Sequence, residues 1–346
     1  MTPSDTVYAT QGLRPGLLTA APSGLKPRAT RRLTAVGSPG AYIAPMHPRF
    51  LAFAQLLRLP NVFTAFADTA LAGCVGAAVY AGWVSPAYLT TLALLALASA
   101  CLYLAGMVWN DVFDLAEDTR DRPFRPLPSG RITVRTAGLL AGALTLVGVG
   151  LTFVAGSPLL GVGLGVAVLL YDAWLKRTPL GPVAMAACRF LNVLLGLSAI
   201  PADAFPPALR LHTAGVVGVY IVGVTWFART EATESSRRHL TAAACVVGLS
   251  LVLALVLRDR VPVEPGPSAL LFPYLLVAFG FVVGVPIRRA VKNPGPGEVQ
   301  AAIKRCVLGL VGLDAVLAVA FVGLPGLGIL LLLPPALLLG KWVYST

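Results

Sequence analysis

Residues 88–118 read YLTTLALLALASACLYLAGMVWN followed by DVFDLAED: an uncharged run from Tyr88 to Asn110, then Asp111, Asp114, Glu117 and Asp118 in close succession. At 1.5 Å per residue a helix over 88–110 covers roughly 34 Å, enough to cross a hydrocarbon core of about 30 Å. Carboxylates that crowd at the end of such a run repel one another and lose hydration, so their grouping requires a compensating cation or arginine. Five of the chain's fifteen acids fall within 111–121, a poor match to an ordinary solvated loop.

The 346 residues are 57% hydrophobic and 12% charged, with a mean hydropathy of +0.79. That composition excludes a soluble globular domain. The apolar runs are too long, and too lacking in period-two alternation, for barrel strands, so the fold class is an all-α polytopic membrane bundle. Spans are expected near 62–82, 88–110, 135–155, 158–174, 182–201, 208–228, 239–257, 268–287, 301–322 and 326–343. Leu324-Pro325-Gly326 reads as a tight turn between the last two, and a nine-helix arrangement would merge or drop one of them.

Basic residues gather at alternate ends of these spans, as the positive-inside rule requires of cytoplasmic loops. One set of loops carries Arg58, Arg120 to Arg131, Lys176 and Arg177, Arg229 to Arg238, Arg288 to Lys292, and Lys304 and Arg305; the other holds only Arg210, Arg258 and Arg260. The net charge of +12 is therefore a matter of topology and anion ligands, and no soluble basic face exists to bind nucleic acid. Five cysteines stand singly inside spans and read as packing residues. Residues 1–45, Arg-rich and with Asp5 as their one acid, are expected to form a disordered tail before a membrane domain over 46–346.

On a helix, Asn110, Asp114 and Asp118 recur at i, i+4 and i+8, and Asp111 shares that face. Their oxygens are hard ligands suited to Mg2+, which keeps several waters and bridges carboxylates to substrate phosphates. A proline-stiffened loop follows, Asp121-Arg122-Pro-Phe-Arg125-Pro-Leu-Pro-Ser-Gly-Arg131. Arg120, Arg122 and Arg125 put fixed positive charge beside the acids, the mixture that holds a diphosphate. The plainer reading is an acidic helix end paired with positive-inside arginines. Asp68, Arg189 and Asp314 sit deep in spans and are expected to face a cavity or one another; Arg189 paired with Asp68 or Asp314 stands at even odds with a substrate role. Asn192 shares the face of Arg189.

The Asn110-Asp-x-x-Asp114-x-x-x-Asp118 run and its Arg125-Pro-Leu-Pro-Ser-Gly-Arg131 loop resemble the first signature of the UbiA superfamily of intramembrane prenyltransferases. The resemblance extends to Leu57-Arg58-Leu59-Pro60-Asn61, to Lys176-Arg177-Thr178-Pro179, and to Arg189 and Asn192, covering about 50–345. The segment from Tyr171 to Gly181 with Cys188 to Asn192 looks most like the EboC-like branch. The resemblance implies a bundle around a cavity, with two acidic motifs facing each other at the cytoplasmic end and each holding Mg2+ on a prenyl diphosphate. It implies Asp111, Asp114, Asp118 and Glu231 as catalytic carboxylates, with Asn110 and Glu234 added as metal ligands. Arg120, Arg122, Arg125, Lys176 and Arg177 would bind diphosphate; Asp68, Tyr171, Asp172, Arg189 and Asn192 would meet the cavity or acceptor. Aromatic faces, from Trp109, Phe113, Tyr171, Trp174, Tyr220 and Trp226, would shield an allylic cation, or form an interfacial belt.

Two departures from the family pattern stand out. Where most members carry Asp-x-x-x-Asp, this chain has Glu231-Ala-Thr-Glu234-Ser235, and Tyr171 lies five rather than four before Lys176. Asp172 is an extra acid that could pair with Arg177 or touch the acceptor. The expected function is Mg2+-dependent transfer of an isoprenoid group from a prenyl diphosphate to a lipophilic acceptor, in a bacterial inner membrane with the site at the cytoplasmic face. The alternative is a non-catalytic carrier of an isoprenoid or other phosphorylated metabolite on the same fold.

Overall fold

The structure, a computed structural model, describes residues 47–80, 85–229, 236–258 and 266–344. The expected tail over 1–45 lies outside the described residues, as do Glu231 and Glu234. The short helix α1 (Pro48–Leu56) leads into a 3-10 turn over Leu59–Val62 and then α2 (Phe63–Val79). There follow α3 (Pro86–Phe113), α4 (Leu115–Asp121), α5 (Val134–Val154), α6 (Pro158–Ala173), α7 (Gly181–Leu197), α8 (Pro207–Ala228), α9 (Arg237–Leu257), α10 (Phe272–Lys292) and α11 (Pro296–Val322). A 3-10 stretch over Leu324–Leu332 turns into α12 (Leu333–Tyr344).

Eight of the described helical segments are long and apolar enough to cross a membrane, and α6 and α7 are shorter apolar helices that lie together in sequence between α5 and α8. All ten expected spans thus have helical counterparts, the last one entering as a 3-10 stretch after Gly323, whose φ of 71° reverses the chain. The outward faces carry exposed Leu139, Leu146, Phe153, Leu159, Tyr274 and Phe281, the pattern of a bundle whose perimeter meets lipid.

Local signals start these helices. Ser85 and Thr133 each accept a hydrogen bond from the amide of the third residue on, Tyr88 and Thr136, and prolines occupy the first turns of α1, α3, α6, α8 and α11. Neighbours pack in a ring: α2 on α3, α3 on α5, α5 on α6, α6 on α7, and so on through α11, which returns to α2. Tyr88 of α3 donates to the Ala72 carbonyl of α2, and Tyr220 of α8 donates to the Cys306 carbonyl of α11. Arg210, an outlier to the charge asymmetry, is consumed locally: its guanidinium donates to the carbonyls of Leu197, Ile200, Pro201 and Phe205, satisfying the end of α7.

Small residues let these helices approach without a hydrophobic drive between them. At Gly223 an added Cβ would lie 2.6 Å from a Val247 methyl, 2.8 Å from the Val247 amide nitrogen and 3.0 Å from the Ala243 carbonyl. Backbone cannot yield as a side chain does, so Gly223→Ala is expected to cost roughly 1–3 kcal/mol by forcing α8 from α9. Gly138, where a Cβ meets nothing within 4 Å, provides the contrast: Gly138→Ala should be neutral or stabilising by up to about 1 kcal/mol. Thermal melts of the two variants in detergent check the pair, and equal midpoints would contradict the packing.

Candidate functional site

The acidic run does not continue as one helix. Helix α3 stops at Phe113, Asp114 takes φ −92° and ψ 5°, and α4 restarts at Leu115. The break divides acids that an unbroken helix would present on one face. Asp111 and Asp118 turn to the loop that follows, and Asp114 turns to the end of α6.

Asp111, Asp114 and Asp118 are each met by cations. Asp111 Oδ1 lies 2.8 Å from Arg58 Nη2 and 3.4 Å from Arg125 Nη1; the same Arg125 nitrogen lies 2.6 Å from Asp118 Oδ2. Asp114 is held by Lys176 Nζ and Arg177 Nη2, both at 2.7 Å. The Lys176 contact is an ion pair without a directed hydrogen bond, which leaves the ammonium's donors uncommitted. Asn110 joins the halves, accepting from Arg58 Nη2 at 3.3 Å and donating to Asp172 Oδ1 at 3.1 Å. Asp172 therefore pairs with Asn110, and Arg177 goes to Asp114. Asp111, Asp118 and Asp172 are all buried, so these pairings are not screened surface contacts.

Arg58 has φ 46° and ψ 46°, the one positive-φ non-glycine among the described residues. This left-handed turn between α1 and α2 aims its guanidinium at Asn110 and Asp111. Sequence reading placed Arg58 in a family-like segment without a site role; its position before Leu59-Pro60-Asn61 was the available signal.

Below this layer lies a cavity of about 300 Å³. Arg58, Asn110, Tyr171 and Asp172 line its charged end, and Leu102, Leu164, Val168, Ile221, Val224 and Leu310 make apolar walls. Ser99, Tyr103, Arg189 and Asn192 line it deeper in the bundle. Arg189 donates to Asp68 at 3.1 Å and to Thr64 at 2.6 Å, Asn192 donates to Asp68 at 2.6 Å, and Ser99 donates to Asn192 at 2.6 Å. The open choice for Arg189 falls to Asp68, with Asp314 behind, its carboxyl facing Asp68. Tyr103 was missed from sequence, although Ser99, Tyr103, Gly106 and Asn110 recur at helical spacing on the cavity-lining face of α3.

Several expectations are corrected. Arg120 is exposed and donates to Asp121 at 2.8 Å; that hydrogen bond holds the Asp121 carboxyl below the usual range, and Arg120 is drawn to solvent. Of the six aromatics considered, Tyr171 alone lines the cavity. Trp109 stacks on Phe113 at 5.6 Å and donates to Thr145 at 3.3 Å on the α5 side; Phe113, Trp174 and Trp226 are exposed, and Tyr220 is committed to Cys306. Arg122 and Arg125 line a second, more open pocket with Arg58, Arg131 and Asp111.

Among the described residues no three acidic, histidine or cysteine side chains are gathered as a ready metal ligand set. The donor chemistry nonetheless suits a hard cation. Asp111 Oδ1 and Asp118 Oδ2 both contact one guanidinium nitrogen, so they lie no more than about 6 Å apart, within the span of a small divalent ion that keeps its waters. With Asn110, these are the oxygens that could hold one.

Residues 69–294 match the model of the UbiA prenyltransferase family. A digeranylgeranylglyceryl phosphate synthase of Saccharolobus solfataricus is 32% identical over 147 residues, 42% of this chain and 50% of the relative. The chain spans about half the length of the curated relatives it matches. A solved structure of a digeranylgeranylglyceryl phosphate synthase in membranes shares the fold at a TM-score of 0.59, with 17% identity over 80% of this chain and 99% of that one. A UbiA homologue of Archaeoglobus fulgidus, bound to GPP and Mg2+, matches at a TM-score of 0.52 and 13% identity over 75% of this chain and 99% of its own. With well over half its length matched by the family model and a bundle of the same fold, the chain belongs to the UbiA prenyltransferase family.

Proposed function

We propose that this chain is an intramembrane prenyltransferase that moves an isoprenoid group from a prenyl diphosphate to a lipophilic acceptor, with Mg2+ as its ion. One observation carries the reading: an apolar cavity of about 300 Å³ opens at one end on a layer of paired carboxylates and cations. A prenyl diphosphate is an apolar tail on an anionic head, and this cavity is its complement. The family's sequence relatives and the A. fulgidus homologue with GPP and Mg2+ support the same donor class. The segment over 171–192 is our ground for the EboC-like branch, and the basic loops on the site's side for a cytoplasmic-facing site in a bacterial inner membrane.

Asp111, Asp118 and Asn110 would hold the ion, with Asp114 beside them, and the family resemblance assigns Glu231 and Glu234 of the second motif the same role. An ion held there would supply positive charge to offset that of the departing diphosphate. Arg58, Arg122, Arg125, Lys176 and Arg177 supply fixed charge for the phosphate oxygens as the carbon–oxygen bond breaks. In the resting arrangement Arg58, Arg125, Lys176 and Arg177 neutralise the acids, and an incoming ion and anion can exchange partners with them at little net change in charge. The apolar walls keep water from the allylic cation, so that the acceptor's nucleophile captures it; Tyr171 and Tyr103 present the aromatic surface.

Asp111→Ala and Asp114→Ala are each expected to lower Mg2+-dependent pyrophosphate release by at least about 100-fold, measured on purified protein with a panel of prenyl diphosphates. Full turnover in both would defeat the proposal. Arg120→Ala, by contrast, should leave turnover within about twofold, because its partner is a solvent-exposed neighbour.

Arg58→Ala and Arg58→Lys separate charge from geometry. Lysine keeps one positive charge but loses the fork that reaches Asn110 and Asp111 together. Both are expected to raise KM for the prenyl diphosphate, lysine by roughly tenfold, since each lost charged hydrogen bond is worth about 1.5–3 kcal/mol. A KM unchanged in both would remove Arg58 from the site.

A further inference from the structure

A hydrocarbon tail has no use for the charged group that lines the deep part of this cavity. Arg189 sits among apolar walls, and it is immobilised. One nitrogen donates to Asp68 and another to Thr64, and its guanidinium carbon lies 4.9 Å from the centre of the Tyr103 ring. Asp68 is fully buried and takes a second hydrogen bond from Asn192. Behind it, both oxygens of Asp314 find no donor among the described residues. The cluster is built to stay where it is, since moving Arg189 would strand Asp68 without its cation.

We infer that this Arg189–Tyr103 floor sets the length of the donor, restricting the enzyme to short prenyl diphosphates of about two isoprene units. The inference rests on the proposed prenyl transfer and adds the substrate's size.

The depth follows from helix geometry. Tyr103 is seven residues before Asn110 on α3, so the first polar groups of this floor lie roughly 10 Å below the charged end, and Ser99, hydrogen-bonded to Asn192, lines its far edge roughly 16 Å below. An extended chain covers about 3.5 Å in three bonds, so the four bonds of each isoprene unit need about 5 Å. Two units reach the floor, and a third meets guanidinium, phenol and carboxylate rather than methyl groups. Burying hydrocarbon against polar groups that already have partners offers it nothing in return. Volume gives the same answer: about 300 Å³ is the lower end for small-molecule sites, which run to roughly 1,000 Å³, and tail and acceptor must share it.

The test offers dimethylallyl, geranyl, farnesyl and geranylgeranyl diphosphates with Mg2+ to the full-length protein in detergent. Pyrophosphate release and thermal stabilisation are read in parallel. Wild type is expected to favour geranyl over geranylgeranyl diphosphate by at least about tenfold in kcat/KM, as steric exclusion at a closed pocket end allows. Tyr103→Ala, which deepens the floor and leaves Arg189 with Asp68, should move the preference to farnesyl diphosphate. Because Arg189→Leu alone would strand Asp68, the paired change Arg189→Leu with Asp68→Asn serves as the second variant, with the same shift expected. Geranylgeranyl diphosphate used as well as geranyl by wild type, or a length preference unchanged in both variants whatever their overall rate, would overturn the inference. If no prenyl diphosphate is consumed, the proposed function fails; the ranking of stabilisation by the four still decides the length.

Discussion

Carboxylates at the edge of a membrane must be neutralised, and in this protein the neutralisation of Asp111 organises everything around it. Asp111 is buried and reaches two guanidinium groups, Arg58 from the start of α2 and Arg125 from the loop after α4. Removing one partner from a buried pair costs about 3–5 kcal/mol, far more than a surface contact returns. That scale explains Arg58's backbone. A left-handed residue with a side chain costs roughly 1–3 kcal/mol, which the buried pairing outweighs. Strain at this turn is what brings the guanidinium over the cavity end.

The same constraint accounts for the break at Asp114. If α3 ran on unbroken, Asp111, Asp114 and Asp118 would crowd one face, and one loop would have to neutralise all three. With the helix interrupted, Asp114 finds Lys176 and Arg177 at the end of α6 while Arg125 bridges the other two. The acids thereby tie α3 to the turn before α2, to the end of α6 and to the loop at once, and the charged end of the cavity is a product of charge pairing more than of apolar packing. Deeper down, Asp68 does the same for α2 and α7 through Arg189 and Asn192.

The bundle was legible because hydropathy and length dictate it: an apolar run of span length has no structure open to it in lipid but a helix, and proline and serine marked where several helices begin. The acidic run and the basic turn at Lys176 were legible because charge in such a chain is rare enough to carry meaning. Partner choice was not. Asp172 could have met Arg177 and instead meets Asn110, since the turn at Leu175 to Arg177 carries the guanidinium toward Asp114. The aromatics divide between cavity, core and perimeter for a related reason. Trp109 lies next to Asn110 in sequence, but one step along a helix is a 100° rotation, and that puts its ring against α5 rather than over the cavity.

The two charged layers differ in what they can exchange. At the charged end Arg58, Arg125, Lys176 and Arg177 are each shared with an acid, Arg58 lines the cavity, and an anionic head with a divalent ion can replace those pairings with others of equal charge. At the floor, Arg189 faces two carboxyl groups with no second cation among the described residues near them, so an added anion has nothing to gain there. One end of the cavity therefore suits an anionic group and the other excludes it. An amphiphilic anion entering this space would have a single orientation, head among Arg58, Asn110 and Asp111, with its tail directed toward Tyr103.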